Sequence, residues 1–185
     1  MSAPDRSGLR PAASTIVTAA LAVASIASFG AASAAEVVRY DYQGASAICQ
    51  PALAAHAAGL RSRPLSLENT GTTAAFVSCA LRGDPRAGGR GAMKVLAEVG
   101  ATGPTGAVVT CTFIDGVQEG GSVSAIYRTK SVPVHPLSRG STMTWQPVEI
   151  AGNPEHIFRP ALQCQLPPRT ALHYLAVTYD EDIGG

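Results

Sequence analysis

The sequence predicts an all-β protein, an antiparallel β-sandwich of about eight strands that resembles a jelly roll and carries two disulfides. Apolar and polar residues alternate with a period of two through most of the chain after residue 64, which is typical of half-buried strands. Turn sequences rich in Gly, Pro, Asn and Asp separate these runs at short intervals. No long run of helical periodicity follows residue 35, so two packed sheets are the expected architecture.

Residues 1–35 are predicted to be a signal peptide. Two arginines precede an uncharged apolar run over residues 14–30, and an Ala-Ser-Ala sequence then supplies the small residues that a signal peptidase recognises. We expect cleavage after Ala34 or Ala35.

An uncleaved membrane anchor is the alternative to a signal peptide. The apolar run is shorter than the roughly 20 residues that a spanning helix needs, and it is rich in Ala and Ser. No cysteine follows the run directly, so a lipoprotein anchor is not expected. The protein is therefore predicted to be secreted or periplasmic, with residues 36–185 as a single β-sandwich domain that has no membrane span.

The mature chain is predicted to carry no net charge. Cleavage would remove Asp5, Arg6 and Arg10 from a total of 13 acidic and 14 basic side chains, which leaves equal numbers of each. A protein that binds nucleic acid needs a surplus of basic side chains to neutralise phosphates. We therefore expect no nucleic-acid partner.

Cys49, Cys79, Cys111 and Cys164 are expected to form two disulfides. An even number of cysteines in an exported chain favours disulfides, because the compartment is oxidising. Zinc sites use closely spaced cysteine pairs, whereas these cysteines lie far apart in the chain. We expect no metal site and no cofactor.

The chain before residue 64 is predicted to contain one strand and one loop. Residues 36–43 alternate weakly and predict a first strand. Residues 44–60 hold Cys49 and a run of alanines bounded by Pro51 and Gly59, which predicts a loop with one or two turns of helix.

Eight further strands are expected between residues 64 and 179, separated by turns. Residues 117–122 and the glycine-rich residues 82–91 are expected to be loops. Pro147 interrupts the sixth run, so this strand is expected at a sheet edge or with a bulge. The predicted strands cover residues 64–69, 75–81, 93–99, 107–115, 123–134, 141–150, 161–168 and 170–179.

The jelly-roll arrangement favours one of the three possible disulfide pairings. In this fold the second, fourth and seventh strands share one sheet, and these are the strands that carry Cys79, Cys111 and Cys164. The fourth and seventh strands are neighbours, which favours a Cys111–Cys164 bond and leaves Cys49 to pair with Cys79. The seventh strand, ALQCQLPP, is accordingly expected to be a central strand between the other two.

Five short motifs follow one another in a distinctive order. They are AICQP at residues 47–51, LEN at 67–69, VSC at 77–79, VTC at 109–111 and CQLP at 164–167. The chain thereby resembles a set of uncharacterised secreted bacterial β-sandwich proteins with four cysteines. The resemblance covers most of the mature chain and implies no assigned activity. Many of those proteins have a proline directly after the second cysteine, whereas Ala80 stands there in this chain.

Motifs for catalysis are absent from the sequence. It lacks a GxSxG elbow, and its four histidines are widely separated. Nothing in the sequence pairs two glutamates as glycosidase chemistry requires, and no phosphate-binding loop is present. We therefore predict a protein that is not an enzyme and assign no catalytic residue.

One candidate for ligand binding is the glycine-rich loop with Arg82, Arg86 and Arg90. Guanidinium groups on a flexible backbone could hold an anionic glycan or a lipid headgroup through bidentate contacts. The alternative is a solvated hairpin loop without a ligand.

A second candidate is the aromatic pair Trp145 and Tyr127, whose rings could stack on a sugar. The alternative, which the sequence favours, is that Trp145 fills the core beside Met143, because the two residues share one face of their strand.

The sequence thus favours a non-enzymatic β-sandwich protein that binds a ligand or a protein partner in the periplasm or outside the cell. A hydrolase with a site assembled from distant loops and a structural subunit of a surface assembly are the alternatives. An exposed aromatic platform would favour carbohydrate binding, and two carboxylates beside a histidine would favour the hydrolase. Long unpaired edge strands would favour assembly by strand addition.

Overall fold

Two antiparallel sheets packed face to face make up the computed structural model, which describes residues 36–82, 91–136, 140–151 and 157–182. The predicted signal peptide lies outside the described residues. The strands in chain order are β1 (Glu36–Gly44), β2 (Cys49–Pro51), β3 (Leu60–Arg63), β4 (Ser66–Asn69), β5 (Ala75–Ala80), β6 (Ala92–Ala101), β7 (Ala107–Glu119), β8 (Ser122–Val134), β9 (Ser141–Trp145), β10 (Pro160–Leu166) and β11 (Thr170–Asp182).

The strand order within the two sheets is that of a jelly roll. Sheet A has the order β3-β4-β11-β6-β9, and β1 pairs with the same edge of β11 as β4. Sheet B has the order β2-β5-β10-β7-β8. The eight strands predicted after residue 64 correspond to β4 to β11. Counted from β4, sheet A contains the first, eighth, third and sixth of these strands in spatial order, and sheet B contains the second, seventh, fourth and fifth. The predicted fold class is confirmed.

Helical structure in the described residues is limited to three short segments, α1 (Ala45–Ile48), a 3₁₀ helix (Ala54–Gly59) and α2 (Pro147–Ala151). The first two lie in the alanine-rich stretch where one or two helical turns were expected. The rest of that stretch is not only a loop, as predicted, because residues 49–51 pair with β5 as the short strand β2 and β3 begins at Leu60. None of the described helices is long and apolar enough to cross a membrane.

The loop expected at residues 117–122 is shorter than predicted. β7 and β8 form one long hairpin, and only Gly120 and Gly121 separate them. Both glycines have positive φ angles, 54° and 96°. Two successive residues with positive φ form the type of two-residue turn that matches the twist of the flanking strands, and Gly adopts it without steric cost.

Pro147 marks a change from strand to helix. β9 ends at Trp145, and Pro147 is the first residue of α2, where its missing N–H costs no helical hydrogen bond. β9 lies at the edge of sheet A, as predicted.

Trp145 belongs to the core between the sheets. Its side chain is fully buried, Met143 is nearly so, and the indole stacks on the ring of Phe113 with 5.9 Å between centroids. Its Nε1–H donates to the carbonyl oxygen of Arg128 at 3.1 Å, which satisfies the one polar atom of the indole. The core alternative for Trp145 is confirmed.

Both disulfides lie within sheet B and join residues that are directly paired across neighbouring strands. Cys49 pairs with Cys79 between β2 and β5, and Cys111 pairs with Cys164 between β7 and β10. β10 lies between β5 and β7, so the central position expected for ALQCQLPP is also confirmed. Two disulfides fit a protein of an oxidising, extracytoplasmic compartment.

A polar cluster covers Trp145 at the edge of the sandwich. The Nζ of Lys130 lies 2.7 Å from Oε1 of Glu149, donates to the carbonyl oxygen of Thr144 and stands 6.0 Å from the centre of the indole. The hydrogen bond from Lys130, followed by one from the backbone N–H of Gln146, lowers the pKa of Glu149.

Removal of the Cys111–Cys164 bond by the double variant Cys111→Ala/Cys164→Ala should lower the free energy of unfolding by about 2–5 kcal/mol, because the unfolded chain loses a constraint. Urea unfolding followed by the fluorescence of Trp145, the only tryptophan, measures the change. Tyr127→Ala, at an exposed side chain of β8, is the control and should change stability little. An unfolding midpoint equal to that of the unmodified protein would contradict this expectation.

Glu149→Gln should destabilise the protein by about 0.2–1 kcal/mol near neutral pH, because the carboxylate is 40% exposed and its ion pair is screened by water. The lowered pKa means that this stabilisation is present above the unfolded-state pKa and is lost as the pH falls through the folded-state pKa. The difference between variant and wild type should therefore vanish in acid, as measured by urea unfolding across pH. The control is Glu119→Gln, whose side chain is 76% exposed. A pH-independent difference for Glu149→Gln would refute the assignment.

Candidate functional site

The outward face of sheet A carries an exposed row of large side chains. On β1, Val38, Tyr40 and Tyr42 alternate with residues of the core side, and they are 47%, 59% and 65% exposed. We call the outward face that they share with β11 and β6 the tyrosine face. Its members are Val38, Tyr40, Tyr42, Lys94, Leu96, Glu98, Tyr174, Ala176 and Thr178.

The strand register arranges the tyrosine face in transverse rows. Tyr42 lies opposite Ala176, which lies opposite Leu96 on β6. Ala176 and Thr178 are small and buried, so β11 forms a low floor between the taller side chains of β1 and β6. The next row contains Tyr40, Thr178 and Lys94.

Tyr174 joins the tyrosines of β1 into one aromatic group. Its partner on β1 is Gly44, which has no side chain and leaves space beside the ring. The ring of Tyr174 contacts that of Tyr42 with 5.6 Å between centroids and an angle of 59°, a tilted arrangement that aromatic pairs favour.

Glu98 places a carboxylate beside this aromatic group. It lies directly across from Tyr174, and its Oε2 accepts a hydrogen bond from the hydroxyl of Thr142 at 2.7 Å. A Cβ atom at Gly140 would collide with the other carboxylate oxygen, so the glycine lets the backbone approach Glu98 closely. Burial raises the pKa of Tyr174, and the negative charge of Glu98 and the nearby Tyr42 raise it further.

His173 adds a ring at the end of the tyrosine face. The register between β11 and β6 shifts between Leu172 and Tyr174, which leaves His173 at a bulge. Its imidazole lies directly over Gly100. A Cβ atom added to this glycine would collide with Nε2 of the histidine. A bulge re-aims one side chain without ending the strand, and here it places the imidazole over β6 at Gly100.

This arrangement suits the binding of a ligand that has both apolar and polar surfaces. Tyr40 and Tyr42 are two residues apart on one strand, so their attachment points are about 7 Å apart and fixed by the backbone. Their rings offer apolar contact area at a low cost in conformational entropy. Glu98 can accept hydrogen bonds and Lys94 can donate them. Within the described ranges, no three His, Cys, Asp or Glu side chains are grouped so that they could hold a metal ion.

Of the residues singled out in the sequence for ligand binding, the structure describes Arg82, Tyr127 and Trp145. The backbone N–H of Arg82 donates to Oε1 of Gln43 at 3.2 Å, whereas Arg86 and Arg90 lie outside the described residues. Tyr127 is 54% exposed on β8, beside an open depression of about 500 Å³. Trp145 is buried, so it presents no ring face to a ligand, and the idea of a Trp145–Tyr127 stacking platform is wrong.

Sequence reasoning missed Tyr40, Tyr42 and Tyr174 as candidate binding residues. The alternation Tyr-Asp-Tyr in β1 does show that two tyrosines share one face. The sequence does not show that this face is turned to solvent, because that depends on the pairing of β1 with β11, which is more than 130 residues away in the chain.

Comparisons with known proteins identify no family. No protein-family model and no curated protein matches the chain. One similar solved structure is a family 11 carbohydrate-binding module from Clostridium thermocellum in complex with a β-1,3-1,4-mixed-linked tetrasaccharide. It is 9% identical, covers 77% of this chain and 86% of its own, and has a TM-score of 0.40. Another is TmCBM61 in complex with β-1,4-galactotriose, at 8% identity, 77% and 88% coverage and a TM-score of 0.29. Identities and scores this low support no transfer of function.

Replacement of Glu98 by Gln should lower the pKa of Tyr174, because the variant removes a negative charge that opposes ionisation of the phenol. A pH titration followed by NMR of the tyrosine ring measures this shift. Glu119→Gln, at the distant tip of the β7–β8 hairpin, should leave the titration unchanged. An identical titration in the Glu98→Gln variant would show that the two side chains do not interact.

Proposed function

We propose that this chain is a non-enzymatic binding protein of an extracytoplasmic compartment and that the tyrosine face binds a carbohydrate. The observation that carries the proposal is the pair of exposed rings of Tyr40 and Tyr42 on one rigid strand, beside the carboxylate of Glu98. The C–H face of a sugar ring packs on an aromatic ring, while its hydroxyls need hydrogen-bonding partners at the rim.

The exposure of these side chains supports a binding role. Large apolar side chains scattered singly on a surface need no explanation, whereas a contiguous patch marks an interaction site. Val38, Tyr40, Tyr42 and Tyr174 form such a patch on neighbouring strands. Because the rings stand on strands rather than on a loop, they are held in position before a ligand arrives.

The polar neighbours of the patch favour a ligand rich in hydroxyl groups. Glu98 is already oriented by the hydroxyl of Thr142, and it can still accept hydrogen bonds through its remaining lone pairs. Lys94 lies on the same face of β6 and supplies a donor. A purely apolar ligand would leave these charged groups without water and without partners, which is unfavourable.

The geometry of the face favours binding over glycoside hydrolysis. A glycosidase needs two carboxylates about 5–10 Å apart across the scissile bond. Glu98 lies across from Tyr174, whereas Asp180, the next carboxylate on this side of β11, lies six residues farther along the strand, a distance of about 20 Å. These two carboxylates cannot act on one glycosidic bond.

The test is a glycan-array screen of the full chain, followed by calorimetric titration with the glycan that binds. Tyr42→Ala and Tyr40→Ala should each weaken binding about tenfold or more, because the loss of ring contact is worth roughly 1.5 kcal/mol. Tyr127→Ala is the matched control, since it removes a similarly exposed tyrosine from the other sheet.

Two results would overturn this proposal. One is the absence of binding to every glycan on the array. The other is an equal loss of affinity in Tyr42→Ala and Tyr127→Ala, which would show that the tyrosine face has no particular role.

A further inference from the structure

The outer edge of β1 offers a docking surface for another strand. β1 pairs with β11 along nine residues, and within the described part of the chain no strand pairs with its opposite edge. An edge of this kind presents backbone N–H and C=O groups that can pair with a further strand. The partner that fits must also match the side chains of β1.

The side chains of β1 are self-complementary about Tyr40. When a second β1 runs antiparallel with Tyr40 opposite Tyr40, the residues at equal distances on either side face each other. Arg39 then lies opposite Asp41 of the other copy, and Val38 lies opposite Tyr42. Every cross-strand pair near the centre is therefore either an opposite-charge pair or an apolar pair.

The charged pairs would form on the core-side face of β1, away from the tyrosine face. Opposite charges directly across an antiparallel pair contribute roughly 0.2–1 kcal/mol each, and two-fold symmetry produces the pair twice. Arg39 already donates from Nε to Glu181, and Asp41 accepts from Nε2 of Gln43. A guanidinium has five N–H donors and a carboxylate accepts several hydrogen bonds, so both groups can take a second partner.

We propose that two copies of this chain form an isologous dimer through their β1 edges, antiparallel and with Tyr40 at the two-fold axis. Sheet A then continues across the interface as one antiparallel sheet. The exposed apolar side chains of Val38, Tyr40 and Tyr42 in each copy gain neighbours from the other. This inference goes beyond the proposed carbohydrate binding and does not depend on it.

Among the described strands, β8 is the other long one at a sheet edge, and it lacks this complementarity. Its charged residues, Arg128 and Lys130, are both cationic, so no residue of β8 could pair with them in a second copy. Part of its edge is also occupied, because the carbonyl oxygens of Arg128 and Pro133 accept hydrogen bonds from Trp145 and Ser141.

Sedimentation equilibrium of the full chain tests the dimer. The wild type should show a concentration-dependent mass that approaches twice that of one chain. Arg39→Asp and Asp41→Arg each place like charges opposite each other twice, so each variant alone should dissociate at least about tenfold more readily. An equimolar mixture of the two variants should associate again, because each Asp then faces an Arg.

A cysteine probe tests the register independently of the charges. Under mild oxidation of the folded protein, Tyr40→Cys should form a disulfide-linked dimer, since position 40 faces itself. Val38→Cys is the matched control and should form far less disulfide-linked dimer, since position 38 faces position 42 of the other copy. If a charge variant does not fold, as judged by circular dichroism, the cross-linking of the two cysteine variants decides whether the dimer forms in this register.

Three outcomes would overturn the dimer. They are a wild-type protein that stays monomeric at every concentration, charge variants that associate as strongly as the wild type, and cysteine variants that cross-link equally at positions 38 and 40. None of these outcomes bears on the glycan screen, so failure of the dimer and failure of carbohydrate binding are distinguishable.

Discussion

The register in which β11 pairs with its neighbours determines the rest of sheet A. β11 binds β6 along one edge, and it binds β4 and then β1 along the other. This register turns Leu175 and Val177 into the core and Tyr174 toward solvent. A slip of one residue would exchange the two faces and bury the tyrosine ring in place of the aliphatic side chains. The same pairing that builds the core therefore builds the tyrosine face.

The two sheets are stabilised differently. Both disulfides join neighbouring strands of sheet B, whereas sheet A is held by its hydrogen bonds and by packing against sheet B. One buried amide connects the two sheets directly, because the side-chain nitrogen of Asn69 at the end of β4 donates to the carbonyl oxygen of Leu166 on β10 at 2.7 Å. Sheet B is thus a covalently restrained support for sheet A, which carries the tyrosine face.

The sequence predicted β1 and the strands from β4 onward, the central position of β10 and the disulfide pairing, because each depends on a local pattern or on the few pairings that a jelly roll allows. It missed the short strands β2 and β3, which show no alternation of their own. The parity of Trp145 and Met143 likewise predicted a buried indole. The tyrosine face was not predictable in this way. Alternation assigns Tyr40 and Tyr42 to one side of β1, but only the long-range pairing with β11 decides that this side is open to solvent.

The two interactions proposed for β1 use largely different groups of the strand. A ligand on the tyrosine face contacts side chains that point out of the sheet. A second copy contacts the backbone edge and the charged side chains of the core side, and it meets Val38, Tyr40 and Tyr42 only along that edge. In an antiparallel pair, residues directly opposite each other point to the same side of the sheet. The dimer therefore places two tyrosine faces side by side on one surface. A long polymer could contact both faces at once and gain avidity without any new type of contact, whereas a short oligosaccharide could contact only one.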